Sequence, residues 1–285
     1  MSEKSSAELV QSASDWWSTG LIDIHPGKIA IRGYPIQELI GRVRFPEMVW
    51  LMLRGELPST GQADLLEAAM VPGVDHGPHA PSIAIARMSV SCGLPVNGAM
   101  ASAINVLDDI HGGAGQQCME IYHQIDAEAD ASGDLVAAAS AVLAMQREAG
   151  IKIMPGFGHR FHPVDPRTEP LFRLVAEAVA AGTVSGRFAA VGRAVEVALE
   201  RHKKRPIPMN IDGITAVIFC ELGFEPELGR GIFALSRAVG ILAHAWEQKQ
   251  TGVRIKGPMP KEIPYSYTGP ALRPVPPPAS RGRTD

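Results

Sequence analysis

Apolar residues recur three and four apart through most of this chain, the period of helices that turn one face inward. "PIQELIGRV" (35–43) and "FPEMVWLMLRGELPS" (45–59) each carry a proline at or near a first helical turn, and Gly55 lies near the end of the second. "STGQADLLEAAMV" (59–71) opens on a Ser/Thr cap and stops at Pro72-Gly73. "PSIAIARMSVSCG" (81–93) and "VNGAMASAINVLDDI" (96–110) are almost uncharged on every face, which predicts helices buried all round at the centre of the molecule. "HGGAGQQCMEIYHQI" re-enters helix after Gly-Gly, and 134–149, 169–182 and 185–203 read as amphipathic helices with alanine-rich faces. A last long helix is predicted at about 226–249, starting at Pro226 and running towards Gly252. Strand alternation is convincing in one place: after a polar leader, Gly20–Tyr34 (GLIDIHPGKIAIRGY) predicts a short hairpin around Pro26-Gly27. The tail "PALRPVPPPASRGRTD" has too much proline and too few apolar side chains to fold alone. The pattern predicts an all-α protein with a minor N-terminal β-hairpin.

At 285 residues the chain can bury a large core, at the upper edge of one domain, so two unequal lobes are expected. It is 46% apolar and 20% charged with a formal net charge of −3, which provides no basic field for nucleic acid. Cys92, Cys118 and Cys220 lie far apart with no CxxC spacing, arguing against a disulfide framework or a structural zinc site and for a reducing cytoplasm. The first residues hold no apolar stretch of signal-peptide length, and no run of about eighteen uncharged apolar residues follows, so neither export nor membrane crossing is expected.

In a chain of buried helices the informative residues are polar ones beside glycines at helix junctions, because each needs a partner to offset its desolvation. Four places qualify: "DHGPH" (75–79), "DDIHGG" (108–113), "MPGFGHRFHPVDPR" (154–167) and "KKRPIPMNIDG" (203–213). Each has a structural explanation when taken alone. His76 and His79 can be loop residues, His111 a hydrogen-bonded helix end, Asp212 a helix N-cap, and Lys203, Lys204 and Arg205 complements of a helix dipole. The third place invites a metal test, since His159, His162 and Asp165 are all suitable donors. Their spacing matches no helical ligand pattern, and Pro163 interrupts it. An anion cradle fits better: Gly156 and Gly158 expose backbone N–H groups, and Arg160 and Arg167 offer guanidinium forks for carboxylate or phosphate.

"PGFGHRFHPVDPR" resembles the signature of the citrate synthase superfamily, a Gly-aromatic-Gly-His turn followed by Asp-Pro-Arg. "IAIRGYPIQELI…FPEMVWLMLRGELP" is similar to the family's N-terminal hairpin and helices, "DHG" to its substrate-binding Asp-His, and "IHGGAGQ" to its catalytic His-Gly loop. "PMNIDG" resembles its Pro-Asn-Val-Asp segment and "LSRAVGILAHAWEQ" its arginine-bearing helix. The resemblance covers roughly residues 20–270 in unbroken order. Only residues 59–74 separate "GELP" from "DHG", where full-length citrate synthases insert additional helices. This short form resembles the citryl-CoA lyase module of ATP-citrate lyase. His111 before Gly-Gly is nevertheless the synthase form, and Gly73 stands where synthases have the first histidine of their HxDH motif.

The resemblance implies a two-domain helical fold, with residues 1–111 and 220–285 as a large domain and 112–219 as a small one, and a cleft between them. It implies an enzyme that makes or breaks a carbon–carbon bond between an acetyl thioester and oxaloacetate, as a lyase of citryl-CoA or a close 3-hydroxyacyl-CoA, or as a compact citrate or 2-methylcitrate synthase. Asp212 is then expected to move the proton on carbon, His111 to donate to the enolate oxygen, and His159 to handle the proton on the carbonyl or hydroxyl oxygen. His76, Arg167 and Arg237 match the carboxylate ligands. An arginine buried in the apolar helix around 237 is in any case costly without such a partner. Arg254, with Lys256 as the alternative, matches an arginine that crosses to the other subunit of a homodimer. Coenzyme A is expected along Ile153, Met154, Pro155, Gly156, Phe157 and Gly158, with Lys203 and Arg205 at its phosphates. It enters as the thioester substrate, acetyl-CoA or citryl-CoA, and no tightly bound cofactor or metal is expected. Two different classes remain open, a metal-dependent hydrolase using His159, His162 and Asp165 and a catalytically silent CoA-binding subunit.

Overall fold

The computed structural model describes residues 5–159, 162–255 and 262–275. The predicted polar leader is a helix, α1 (Ser6–Trp16), started by a capping box in which the Ser5 hydroxyl accepts from the Glu8 N–H and the Glu8 carboxylate accepts from the Ser5 N–H. None of its residues is buried; Leu9, Val10 and Trp16 stand exposed, so its apolar side chains pack on no core. The hairpin follows as predicted. β1 (Ile22–His25) pairs antiparallel with β2 (Lys28–Ile31), Asp23 opposite Ala30, around Gly27 at φ 75°. A short β3 (Tyr34–Pro35) completes a three-stranded sheet.

Helices make up the remaining regular structure. Helix α2 (Ile36–Leu39) is a single turn, α3 (Phe45–Arg54) has proline in its first turn and ends at left-handed Gly55, and α4 (Thr60–Met70) is capped by Ser59. A 3₁₀ turn, Val71–Gly73, leads to α5 (Pro81–Ser91) and α6 (Val96–Ile104). Then come α7 (Ala114–Ser132), α8 (Leu135–Glu148), α9 (Thr168–Ala180), α10 (Arg187–Lys203), α11 (Ile211–Glu221) and α12 (Pro226–Gln250). No helix among the described residues is long and apolar enough to cross a membrane.

The larger core forms where α7 packs on α8 and α11 and α10 closes the layer, around fully buried Tyr122, Ile214, Ile218 and Phe224. The smaller core joins α5 and α6 to α12 through Ile83, Ala86, Ala99, Ala103, Ile241 and Ala245. This corrects the expectation for 81–110: these helices are not the centre. They pack by alanine faces on α12, while Met88 of α5, and Leu94 in the loop between the two helices, stay exposed. An apolar outer face and an apolar inner face look alike in sequence. Helix α12 serves both cores, with Ile232 in the larger and Ile241 in the smaller.

Small residues on α12 let the 70–76 segment lie against it. The Ser236 hydroxyl donates to the Met70 carbonyl, and a Cβ at Gly73 would stand 2.8 Å from Ser236 Oγ. A Cβ at Gly240 would overlap the Val74 carbonyl oxygen. Alanine gains up to about 1 kcal/mol of helix propensity over glycine, but overpacking against rigid backbone costs about 1–3 kcal/mol. Gly240→Ala is therefore expected to lower the thermal midpoint by several degrees and to shift the Asp75–His76 loop; an unchanged or higher midpoint in calorimetry would contradict this contact.

Candidate active site

Three junctions between helices meet at one cavity of about 680 Å³. Its lining includes His76 from the loop before α5, His111 from the loop before α7, His159 and Arg167 from the loop before α9, Asp212 from α11 and Arg237 from α12. Six residues singled out in sequence thus share a wall. Each is held by specific contacts.

His111 sits on a tight loop in which the Asp108 N–H donates to the His111 carbonyl at 2.9 Å and Gly112 takes φ 102°. Arg230 of α12 anchors that loop, donating to Asp108 at 2.7 Å and Asp109 at 2.5 Å. The Ser82 backbone N–H, in the first turn of α5, donates to His111 Nε2 at 3.1 Å. A backbone N–H only donates, so Nε2 accepts and the neutral ring carries its proton on Nδ1. Burial, then the Arg237 charge, lowers the His111 pKa and keeps the imidazole neutral near pH 7.

The same logic fixes His159. Its Nδ1 accepts the backbone N–H of His162 at 3.1 Å, which places the proton of the neutral ring on Nε2. The His76 and His159 rings stand edge to face, centroids 5.6 Å apart, and the His162 ring lies 4.6 Å from that of His159. Desolvation lowers the pKa of His159, against the pull of Asp165, and that of His76, where the charges of Arg167 and Arg237 add to it. Asp75, one residue before His76, is bonded to His244 Nε2 at 3.2 Å, which ties this loop to α12.

Asp212 is not the N-cap of its helix. Asn210 is: its Oδ1 accepts from the N–H of Asp212 at 2.9 Å and of Gly213 at 3.3 Å, and its Nδ2 donates to the Gly158 carbonyl at 2.6 Å. The Asp212 carboxyl is thereby left to the cavity, and burial raises its pKa although Arg167 and Arg237 pull the other way. Gly156 and Gly213 touch so closely that a Cβ on either would overlap the other's backbone. A bridge between Phe157 and Met209 completes the seam holding the Gly-Phe-Gly-His turn to the start of α11.

Arg167 and Arg237 supply positive charge. Asp165, only 2% exposed, takes Arg167 Nε at 2.9 Å and Nη2 at 2.8 Å, and accepts the Ile211 N–H at 3.0 Å. Its carboxylate is committed to orienting Arg167 and starting α11. Among the described residues no group of three His, Cys, Asp or Glu is arranged to hold a metal ion. Arg237 is 5% exposed, its Nε donates to the Gly73 carbonyl at 3.0 Å, and burial lowers its pKa against the pull of Asp75 and Asp212.

Burial acts to raise the Asp165 carboxyl, but the Arg167 fork and backbone N–H donors override it and hold the pKa at about 2. A carboxyl held below its ordinary value stabilises the fold above that ordinary value, about pH 4, and loses this as pH falls towards 2. The contribution is on the order of 2 kcal/mol. Urea unfolding of the protein and of Asp165→Asn should show a large gap at pH 5 that narrows towards pH 2; a constant gap would contradict the assignment.

The remaining sequence candidates lie elsewhere. Met154 and Phe157 are buried in the core and Gly156 is buried against Gly213, so within 153–158 only Ile153 is exposed, while Gly158 is half-buried. Lys203 lines a shallow depression with Ile153 and Met154, Arg205 is exposed beyond it, and Pro155 is half-buried. Arg254 is exposed and does not line the cavity. Arg160 and Lys256 fall outside the described residues. Sequence reasoning missed Ser82, Arg230 and His244, which orient the site from ordinary helical positions. Asn210 had a readable signal, an Asn two residues before a helix-opening Asp-Gly.

The model of the family "Citrate synthase, C-terminal domain" matches residues 9–70 and 59–258. The citrate synthase of Deinococcus radiodurans is 32% identical over 203 residues, 70% of this chain and 51% of that protein. The 2-methylcitrate synthase of Shewanella oneidensis is 30% identical over 232 residues, 81% of this chain and 57% of that protein. The solved citryl-CoA lyase from Hydrogenobacter thermophilus superposes with a TM-score of 0.79 at 30% identity, covering 91% of this chain and 97% of that one. The all-α, citrate synthase-like fold and the matched model agree: the chain belongs to the citrate synthase family. It spans about half the length of the curated citrate synthases it matches.

Proposed function

We propose that this chain is a citryl-CoA lyase, cleaving citryl-CoA to acetyl-CoA and oxaloacetate. The observation that carries the reading is the meeting of Asp212, His111 and His159 in one cavity with Arg167 and Arg237. In cleavage, Arg167, Arg237 and His76 hold the carboxylates that oxaloacetate retains. The tertiary hydroxyl gives its proton to His159 as the carbon–carbon bond breaks and its electrons form the acetyl enolate. His111 Nδ1–H donates to the enolate oxygen, and such a donor acts most strongly once closure of the cleft excludes water. Asp212, whose raised pKa suits a proton donor, then protonates the carbon and is left as carboxylate. Proton return from His159 to Asp212 resets the site.

Two observations favour cleavage. Residues 59–74 are filled by α4 and the 3₁₀ turn alone, and the citryl-CoA lyase of Hydrogenobacter thermophilus is matched over 97% of its length. One observation favours a second reading, a compact citrate or 2-methylcitrate synthase. The neutral ring of His159 carries its proton on Nε2, ready to donate to a ketone oxygen, whereas accepting there requires the other tautomer and release of the His162 N–H. Incubation with acetyl-CoA, oxaloacetate and a thiol reagent separates the two. A lyase releases little free coenzyme A and converts added citryl-CoA to acetyl-CoA and oxaloacetate; rapid stoichiometric thiol release would overturn the lyase assignment in favour of the synthase.

The same reading places coenzyme A along Ile153–Gly158 with Lys203 and Arg205 at its phosphates. It takes 112–219 as a small domain closing on 1–111 and 220–285. We further propose a homodimer, supported by an exposed apolar stripe on α12, Leu235, Val239, Leu242 and Trp246, at spacings of one helix face. Arg254 is then offered to the partner's cleft.

A further inference from the structure

Three residues of α12 that serve different parts of the site stand seven apart. Arg230, Arg237 and His244 occupy positions i, i+7 and i+14 of one unbroken helix. Two turns bring each back to nearly the same face, about 10 Å further along the axis. Arg237 lines the cavity itself, whereas Arg230 and His244 are not among its lining residues. These two act from outside, on the loops that carry His111 and His76.

At the N-terminal end of the stripe, Arg230 forks, Nη1 donating to Asp108 at 2.7 Å and Nη2 to Asp109 at 2.5 Å. The Asp109 N–H donates to the Asp108 carboxylate at 2.9 Å, and the Asp108 N–H donates to the His111 carbonyl at 2.9 Å. A shift of the fork therefore reaches the His111 backbone through few bonds. Phe233, about one turn on, supports the same loop: a Cβ on Gly112 would stand 3.1 Å from its ring. At the other end, Arg87 of α5 donates to His244 Nδ1 at 3.2 Å and is itself held by Glu247. An arginine only donates, so Nδ1 accepts and the ring proton sits on Nε2, aimed at the Asp75 carboxylate 3.2 Å away. Asp75 immediately precedes His76.

We propose that α12 registers the two halves of the reaction separately, with Arg230 a positioning residue for enolate formation through His111 and His244 a positioning residue for dicarboxylate binding through His76. This rests on the roles proposed above for His111 and His76. The helix between them fixes the distance from the enolate donor to the carboxylate clamp. An enolate forms in condensation and in cleavage, so the division holds in both directions.

The two tasks can be read apart on the full-length protein. Malate, a four-carbon dicarboxylate without the reactive ketone, fills the cationic end and cannot condense. Exchange of the acetyl-CoA methyl protons with solvent deuterium in saturating malate reports enolate formation, and calorimetric titration with malate alone reports carboxylate binding. Arg230→Gln should slow exchange by about 10–10²-fold, the scale on which a catalytic group displaced by up to about 1 Å loses rate. Its malate Kd should stay within about threefold of wild type, as for an independent site. His244→Ala should do the reverse, raising the malate Kd about tenfold or more while exchange at saturation stays within about threefold. His244→Gln, whose amide can donate to Asp75, should recover most of the affinity.

If a helix variant does not fold, Asp108→Ala with Asp109→Ala, or Asp75→Ala, removes the same bonds from the loop side and should give the same split. Folded variants in which both readouts fall together, or neither changes, would overturn the division. So would failure of the loop-side variants to fold as well, since these bonds would then serve stability alone. Wild type that neither exchanges the methyl protons nor binds malate would overturn the proposed function and this division with it; wild type that does both, with unsplit variants, overturns the division alone.

Discussion

Asp212→Asn should lower turnover by about 10²–10⁴-fold, the usual contribution of a positioned acid or base, and at the same time raise the thermal midpoint near neutral pH. Both effects have one cause. The carboxyl faces a cavity in which burial raises its pKa above the ordinary carboxylate value despite Arg167 and Arg237. A carboxyl whose folded pKa lies above its unfolded one destabilises the fold when ionised; the penalty is full above the raised value and disappears below the unfolded one. Asparagine keeps the shape and removes the charge. The stability gain should therefore be clear at pH 7.5 and vanish near pH 3.5, followed by calorimetry beside the activity assay. A variant that loses activity and also loses stability at pH 7.5 would show that Asp212 serves the fold.

The second large effect belongs to Arg237. Its guanidinium lines the cavity from the middle of α12, its Nε is fixed by the Gly73 carbonyl, and its Cζ lies 5.0 Å from the centroid of the Phe233 ring. An arginine so buried is costly, as its lowered pKa shows, and a dicarboxylate offsets that cost. Truncating one member of a buried, hydrogen-bonded charge pair typically costs about 2–5 kcal/mol, a factor of roughly 30 to several thousand. Arg237→Met should raise KM for oxaloacetate by about 10²–10³-fold within that span, while the affinity for acetyl-CoA alone changes less than about threefold. Lysine should not rescue it, because an ammonium cannot keep the Gly73 contact and present a planar fork together. Equal losses for both substrates would instead mean that Arg237 only supports the cavity wall.

Much of the fold was legible because local signals and tertiary packing agree. The Pro26-Gly27 turn, the proline starts of α3 and α12 and the glycine end of α3 appear where the residues place them. Two misreadings have physical causes. Helix α1 is held by a cap and buries nothing, and its few apolar residues, Leu9, Val10 and Trp16, are spread through a segment whose polar composition reads as a leader. Helix α5 leaves apolar Met88 exposed in the single chain, α6 exposes Asn97 and Ala101, and sequence does not distinguish such an outer face from a core face. At the site, polar residues beside glycines marked His76, His111, His159 and Asp212, because close backbone approach needs glycine and desolvated polar groups need a purpose. What sequence could not reveal is orientation. The proton on His111 Nδ1 follows from a backbone N–H of Ser82, twenty-nine residues away along the chain, and the commitment of Asp165 follows from Arg167 and Ile211.

Asp212 and His111 act together on the acetyl enolate, His111 holding its oxygen while Asp212 protonates its carbon. A double-mutant cycle on the chemical step, measured by single-turnover conversion of citryl-CoA with wild type, Asp212→Asn, His111→Ala and the double variant, tests it most directly. Groups that serve one proton transfer fail as a unit, so the double variant should be little slower than the slower single variant. Losses that multiply would mean that the two residues work independently, and would contradict this account of the site.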